Sequence, residues 1–309
     1  MGKSTRREYE RRICKAMDYI AKHLTDNPTL DQIATEAAFS KYHFHRIFSA
    51  LVGETVNDFT RRLKLERAAN MLHFNTQRDI TSIAIDCGFS SSQNFAKAFR
   101  KHFGQSPSQF RTQETQKSNL GNTNATDGNV LSHVFDHDVD VSQHLSTTER
   151  TSAMSIEVKT LEPFDVAYMR AIGPYGLDYA TVTFNKLIEW AKPKGLMDNP
   201  QYLGITWDNP CVTPAEKCRY DACLAVNDDI NITEGADRQT VAGGLYAINH
   251  KEIVNHDFET PWRELFQNWL PDSGYVPDDR PSFEKYLVIG KDDPKGRWVV
   301  EVHLPIKPL

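Results

Sequence analysis

The chain has 309 residues, 39% of them hydrophobic and 25% charged, an ordinary balance for packed globular domains. No apolar run approaches the ~18 residues of a membrane span, and the charged opening MGKSTRREYERR lacks the apolar stretch of a secretory signal, so a cytoplasmic location is expected. The net charge of −5 is uneven: residues 1–115 hold 18 Lys+Arg against 12 Asp+Glu (+6) and the remainder 18 against 29 (−11), which points to an anionic partner for the N-terminal part alone.

From Glu8 to about Arg111 the apolar periodicity is helical. Ile13, Met17, Ile20 and Leu24 recur at helical spacing, and TDNP closes that helix. Two later stretches then repeat each other, AFSKYHFHRIFSALVG (38–53) and GFSSSQNFAKAFRKHFG (88–104). Leu30, Ile33, Ala34, Ala37, Phe39 and Ser40 precede Ile80, Ile83, Ala84, Cys87, Phe89 and Ser90 by 50 residues. Beyond the turn the offset becomes 51, matching Phe44, Phe48, Gly53 and Phe59 to Phe95, Phe99, Gly104 and Phe110. Each copy reads as a helix, a short turn and a second helix opened by an N-cap Ser.

The letters kept are those a core needs. At about 100° per residue, Phe44, Ile47, Phe48 and Leu51 share one face of the first copy's second helix, and Tyr42, His45, Arg46 and Ser49 lie away from it. In the other copy Phe95, Ala98 and Phe99 face inward, while Gln93, Lys97 and Arg100 face outward, flanked by Ser92 and Asn94. Donors and cations at outward positions suit base edges and phosphates. A plainly solvated face is the alternative, against which stand the duplication and the basic charge. The connecting stretch VNDFTRRLKLERAANMLH makes a helix of roughly 27 Å at 1.5 Å per residue, near the ~34 Å between successive major-groove segments on one face of DNA.

Residues 113–154 are rich in Asn, Thr, Ser, Asp and His without apolar periodicity, and are expected to form a flexible linker. Within them HVFDHDVD reads as a solvated acidic stretch rather than a metal site. Cys14, Cys87, Cys211, Cys218 and Cys223 lack close CxxC pairing, so buried reduced thiols are expected, with no metal and no cofactor.

After about Ser155 strands alternate with helices: SIEVKTL and FDVAYMRAIG, the helix YATVTFNKLIEWAK, then QYLGITWD and CRYDACLAV. The order recurs as the strand TVAGGLYAINHKEI, the helix TPWRELFQNWL, and the strands SFEKYLVIG and RWVVEVHLPI. This is a βαββ duplication, hence an α+β domain of two like halves. Alternation places Glu284 with Tyr286 on one strand face and Phe283 with Leu287 on the other. Two readings of Glu284 stand open: an exposed edge carboxylate paired with Lys285 or a loop Arg, or a carboxylate among aromatics that a lipophilic cation would neutralise.

Residues 8–111, above all DITSIAIDCGFSSSQNFAKAFRKHFGQSPSQFR, resemble the AraC/XylS-type DNA-binding domain. The resemblance implies an all-α, homeodomain-like double helix-turn-helix domain of seven helices over residues 1–112. Its base contacts would fall on Tyr42, His45 and Arg46 and on Ser92, Gln93, Asn94 and Lys97. Phosphate contacts are expected from Lys41, Arg61, Arg62, Arg67, Arg100 and Lys101. Tyr42 and His45 stand where close relatives in the MarA/SoxS/Rob group have Trp and Gln, so a different target sequence is implied.

Residues 155–309 resemble the GyrI-like small-molecule-binding domain through GGLYAINH, PWRELFQNWLPDSGY, PSFEKY and VEVHLPI. That implies a pseudo-twofold pair of βαββ modules with a groove between them and Glu284 as its ligand-binding residue, with Tyr286, Tyr168, Trp207 and Tyr246 as candidate groove aromatics. An AraC-type domain followed by a GyrI-like one is a Rob-like layout. The expected function is a transcription regulator that binds promoter DNA and senses an amphipathic or cationic small molecule, rather than an enzyme. RNA polymerase is a further candidate partner and no membrane is involved. The alternative is a hydrolase using Glu284 as general base.

Overall fold

The computed structural model describes residues 3–74, 77–119, 156–210, 212–227, 230, 232, 235–253, 257–290 and 293–309. The chain divides into two compact units, each taken here by itself. Cys211, most of the expected linker and HVFDHDVD lie outside the described residues.

The N-terminal unit holds seven described helices: α1 (Lys3–Lys22), α2 (Leu30–Glu36), α3 (Lys41–Val52), α4 (Val56–Phe74), α5 (Ile80–Asp86), α6 (Ser92–Phe103) and α7 (Pro107–Asn119). The repeat holds to the residue. Helices α2 and α5 have seven residues each and start 50 apart; α3 and α6 have twelve each and start 51 apart. The extra residue falls in the second turn. Ser91 is therefore the N-cap of α6, its side chain accepting from the Asn94 amide at 3.2 Å, whereas the sequence alignment paired Ser40 with Ser90. Both helices end at a glycine in the left-handed region, Gly53 (φ 79°) and Gly104 (φ 74°), whose amides bond back to Ser49 and Arg100.

Phe44, Phe48, Phe95 and Phe99 are wholly buried, each side chain worth about 1.5–3 kcal/mol of burial. Phe48 meets Phe59 edge to face at 5.5 Å, and Phe99 meets Phe110 at the same distance, so α3 and α6 are each bolted to the helix that follows. Helix α7 continues to Asn119, beyond the boundary expected at 112, because QETQK are good helix formers that nothing interrupts.

The C-terminal unit is one antiparallel sheet with two helices. Its strands are β1 (Ile156–Leu161), β2 (Phe164–Ile172), β3 (Tyr202–Thr206), β4 (Arg219–Ala225), β5 (Asp237–Val241), β6 (Gly244–Ile253), β7 (Tyr275–Pro277), β8 (Ser282–Val288) and β9 (Trp298–Pro308). The order is β1-β6-β9-β8-β3-β4-β2-β5, with β7 pairing only β9. Strands β1 and β2 are joined by two residues yet stand at opposite ends of that order, and so do β5 and β6. So short a connection can join the two ends only if the sheet curls into a half-barrel. The stretch TVAGGLYAINHKEI, expected as one strand, is accordingly two, broken at Ala242–Gly243 where the chain passes from one end to the other.

The halves β2-α8-β3-β4 and β6-α9-β8-β9 repeat, with α8 spanning Leu177–Ala191 and α9 Glu259–Arg263. The expected helix TPWRELFQNWL is α-helical only in its first turn; it widens into a π-helical turn over Glu264–Trp269 and ends in a tight turn at Leu270–Asp272. Helix α8 packs on β2 and β4 and α9 on β6, which leaves β9, β8 and β3 between the two helices.

Candidate DNA-reading helices and effector site

The outward faces of α3 and α6 are as the periodicity requires. His45 and Arg46 on α3, and Gln93, Asn94, Lys97 and Arg100 on α6, are exposed, with Ser92 half-buried at the start of α6. The Asn94 side chain donates to Ser90 Oγ at 3.0 Å, so its amide is oriented by the turn it follows. The Tyr42 side chain lies outside the described residues.

The expected phosphate contacts divide. Lys41, Arg61, Arg100 and Lys101 are exposed; Lys41 pairs with Asp31 and Arg61 with Asp58, both at 3.6 Å on the surface, where such pairs cost little to break. Arg67 is half-buried. Arg62 is a correction: it is 4% exposed and its guanidinium is held between Glu54 (2.6 Å) and Glu66 (3.2 Å), both nearly as buried. A cation on a helix looks the same in sequence whether it meets solvent or two carboxylates, and α4 is buried along most of its length.

In the sheet unit the register assigns faces. Asn249, Val302, Glu284, Gly204, Ala222 and Met169 are successive partners across β6, β9, β8, β3, β4 and β2, so their side chains share one face. Asn249 in that row donates to Pro261 O and to Glu264 on the α9 side, both at 2.9 Å, and Leu187 and Ala191 of α8 cluster with Ala222. Both helices thus cover this face, and Glu284 stands in the gap between them.

There the Glu284 carboxylate accepts from Trp262 Nε1 at 2.7 Å and from Tyr286 Oη at 2.6 Å. Tyr286 Oη lies 3.3 Å from Tyr220 Oη. The Tyr286 ring meets Phe184 edge-on at 5.7 Å and Trp298 at 5.9 Å. Gly204, beside Glu284, makes this possible: a Cβ there would sit 2.8 Å from Tyr286 Oη and closer still to Tyr220 Oη. Among the described residues no Lys, Arg or His pairs with Glu284. Desolvation by burial pushes its pKa above the ordinary carboxylate value, and the bonds from Tyr286 and Trp262 pull partly back. Burial likewise drives the Tyr220 and Tyr286 hydroxyls well up. Of the two readings of Glu284, the exposed edge carboxylate is set aside by this half-buried position.

Tyr168, Trp207 and Tyr246 do not join it. Ile248, His303, Phe283, Ile205, Asp221 and Arg170 form the adjacent row of partners and therefore the opposite face. Tyr168 and Tyr246 are buried there in one cluster with Phe283, with Trp207 packed against it. Trp207 Nε1 donates to the buried Asp221 at 2.6 Å, Asp221 also pairs with Arg170, and Tyr246 Oη donates to Ala242 O at 2.8 Å. Tyr168 and Tyr246 are core residues of the face opposite Glu284, and Trp207 packs on them. The sequence reading missed Tyr220 and Gly204, which required pairing between strands to find, and Trp262 and Phe184, which required the packing of α9 and α8 on the sheet. Cys87, Cys218 and Cys223 are buried and Cys14 is half-buried; no metal-ligand cluster occurs among the described residues.

Comparison with known proteins gives matches to both units. The GyrI-like small molecule binding domain matches residues 154–307 and a helix-turn-helix domain matches residues 33–113. A DNA gyrase inhibitor of Erwinia billingiae is 31% identical over 156 residues, covering 50% of this chain and 97% of that protein. The DNA gyrase inhibitor of Citrobacter koseri is 33% identical over 159 residues, covering 50% of this chain and 99% of its own. Among solved structures, a transcriptional regulator with an AraC-type DNA-binding domain from Chromobacterium violaceum is 27% identical over 34% of this chain and 94% of that one, at a TM-score of 0.33.

Proposed function

Because the chain belongs to the family of the GyrI-like small molecule binding domain and carries a helix-turn-helix domain ahead of it, we propose that it is an AraC-type regulator, that it reads promoter DNA with α3 and α6 and that an amphipathic organic cation, bound at Glu284, alters this binding. The observation that supports it most is the repeat itself. Two helices of equal length bury the same Phe positions and expose unlike polar sets, His45 and Arg46 in one, Gln93 and Lys97 in the other, as two readers of different base sequences require. Lys41, Arg61, Arg100 and Lys101 supply phosphate contacts, with Arg67 at their margin.

In the sheet unit a desolvated carboxylate with no cationic neighbour among the described residues, bonded by Trp262 and Tyr286, with Phe184 and Trp298 packed on the Tyr286 ring, supports a lipophilic cation as ligand through charge and through the ring faces. Such a ligand changes output only through unequal affinity for the DNA-competent and DNA-incompetent states. The test is binding to fragments selected from random DNA by the full chain. Arg46→Ala and Lys97→Ala should each lose about 1–3 kcal/mol and relax preference in different half-sites; unchanged affinity and preference in both would end the reading. Progressive chemical change of a bound cation would instead favour the hydrolase alternative. A second reading, gyrase inhibition by the sheet unit, rests on what the relatives at 31% and 33% identity are named for, and a supercoiling assay with this protein decides it.

A further inference from the structure

The helical repeat extends further than the two helix-turn-helix pairs. Ile13, Ala16, Met17 and Ile20 of α1 are buried, and so are Leu65, Ala68, Ala69 and Leu72 of α4, each 52 residues later. The same offset carries Arg12 onto Lys64, and the two do the same thing. Arg12 Nη1 donates to Ala38 O, in the turn of the first copy, at 2.9 Å and lies over the Phe39 ring at 5.5 Å. Lys64 Nζ donates to Gly88 O, in the turn of the second copy, at 2.9 Å and lies over the Phe89 ring at 5.9 Å. In each repeat a cation on the leading helix pins the carbonyl of the turn that aims the reading helix.

The two clamps differ in what else they hold. Arg12 is partly exposed and its other partner is Glu8, on its own helix. Lys64 is 7% exposed, and its second bond goes to Asn27 Oδ1, in the loop between α1 and α2 of the other repeat. The turn it pins rests against that loop: a Cβ on Gly88 would lie 3.2 Å from Thr25 Cα and 3.3 Å from Leu24 O. The ammonium sits where the repeats meet, with a partner on each side. Desolvation lowers its pKa, so each of those bonds is costly to lose.

We propose that Lys64 is the positioning residue that sets the spacing between the two reading helices, by joining the turn of the second repeat to the entry loop of the first. The proposal rests on the DNA-reading function above. Without the tie, each half-site can still be read, but the second helix is no longer pre-placed for its groove segment, and the bipartite site loses the advantage of a preorganised reader.

The experiment uses the full-length protein with Lys64→Met and Asn27→Gly, the second removing the same tie from an exposed loop so that the test survives if Lys64→Met fails to fold. Affinity is measured on bipartite DNA whose half-sites are separated by one-base-pair increments, and on each half-site alone. Wild type should show one sharp optimum. Asn27→Gly, and Lys64→Met if folded, should lose about tenfold at that optimum and little elsewhere, flattening the profile with half-site affinity kept. A profile unchanged in shape, or an equal loss on half-sites and bipartite DNA, overturns the proposal. Residual dipolar couplings on the DNA-free protein separate this from failure of the DNA reading. One alignment tensor should fit α1–α3 and α4–α6 in the wild type, and two should be needed in the variants; a single tensor in the variants also overturns it.

Discussion

Gly204 and Glu284 are register partners across β3 and β8, 80 residues apart and at the same point of the two repeated halves. One half supplies the carboxylate and the other, at the matching position, supplies no side chain at all. The hydroxyls of Tyr220 and Tyr286 occupy the room so left and form a hydrogen-bonded chain that ends on Glu284.

Gly204→Ala should therefore disturb the site without touching the carboxylate. Its Cβ must push both tyrosine hydroxyls aside, an overpacking cost of about 1–3 kcal/mol. The expected result is a lower thermal midpoint together with weaker binding of tetraphenylphosphonium by calorimetry. Wild-type binding and stability would show that the hydroxyls move freely.

Arg62 and Lys101 separate what the N-terminal sequence could not. Arg62→Met removes a buried guanidinium from beside two buried carboxylates, Glu54 and Glu66, and should cost roughly 3–5 kcal/mol in denaturant unfolding. In whatever fraction stays folded, the salt dependence of DNA affinity should be unchanged. Lys101→Ala should do the reverse, with stability within about 0.5 kcal/mol of wild type and a log–log salt slope shallower by about one.

The sheet unit carries two titrating groups of opposite sign. His303, buried and stacked on Phe283 at 4.3 Å, has its pKa lowered by desolvation to about 4. An unfolded histidine binds its proton nearer 6.5, so stability from this group is complete above that value and is lost as pH falls toward about 4. Glu284 is raised from 4.5, so its contribution is complete below the ordinary carboxylate value and is lost as pH rises through the folded one. Chemical unfolding as a function of pH should show His303→Phe removing the loss between pH 6.5 and about 4, and Glu284→Gln the loss at higher pH. Cation affinity should rise with pH through the Glu284 titration and then level off, and Glu284→Gln should abolish the rise. A pH-independent affinity in wild type would mean that the carboxylate is not the counter-charge.

What the sequence made legible follows from periodicity. The Phe44–Phe48 and Phe95–Phe99 ladders, the turns and the two glycine caps all lie within one helix or its ends, where spacing alone assigns a face. Glu284 and Tyr286 were placed together for the same reason, being two apart on one strand. The side taken by Tyr168 and Tyr246 was not legible, because alternation orders faces inside a strand and is silent between strands; the pairings that run from Ile248 through His303, Phe283, Ile205 and Asp221 to Arg170 put both opposite Glu284. Arg62 and Lys64 were unreadable for another reason. Their burial depends on Glu54, Glu66, Asn27 and Gly88, partners brought together by folding.

The leading strands β1 and β5 carry a consequence for the sheet unit. Each immediately precedes one half of the duplication yet pairs along the edge of the other, β1 on β6 and β5 on β2. Cutting between β4 and β5 would therefore deprive both pieces of a border strand as well as parting β3 from β8. The two halves are thereby interlocked, and chemical unfolding of this lobe should show one transition rather than two.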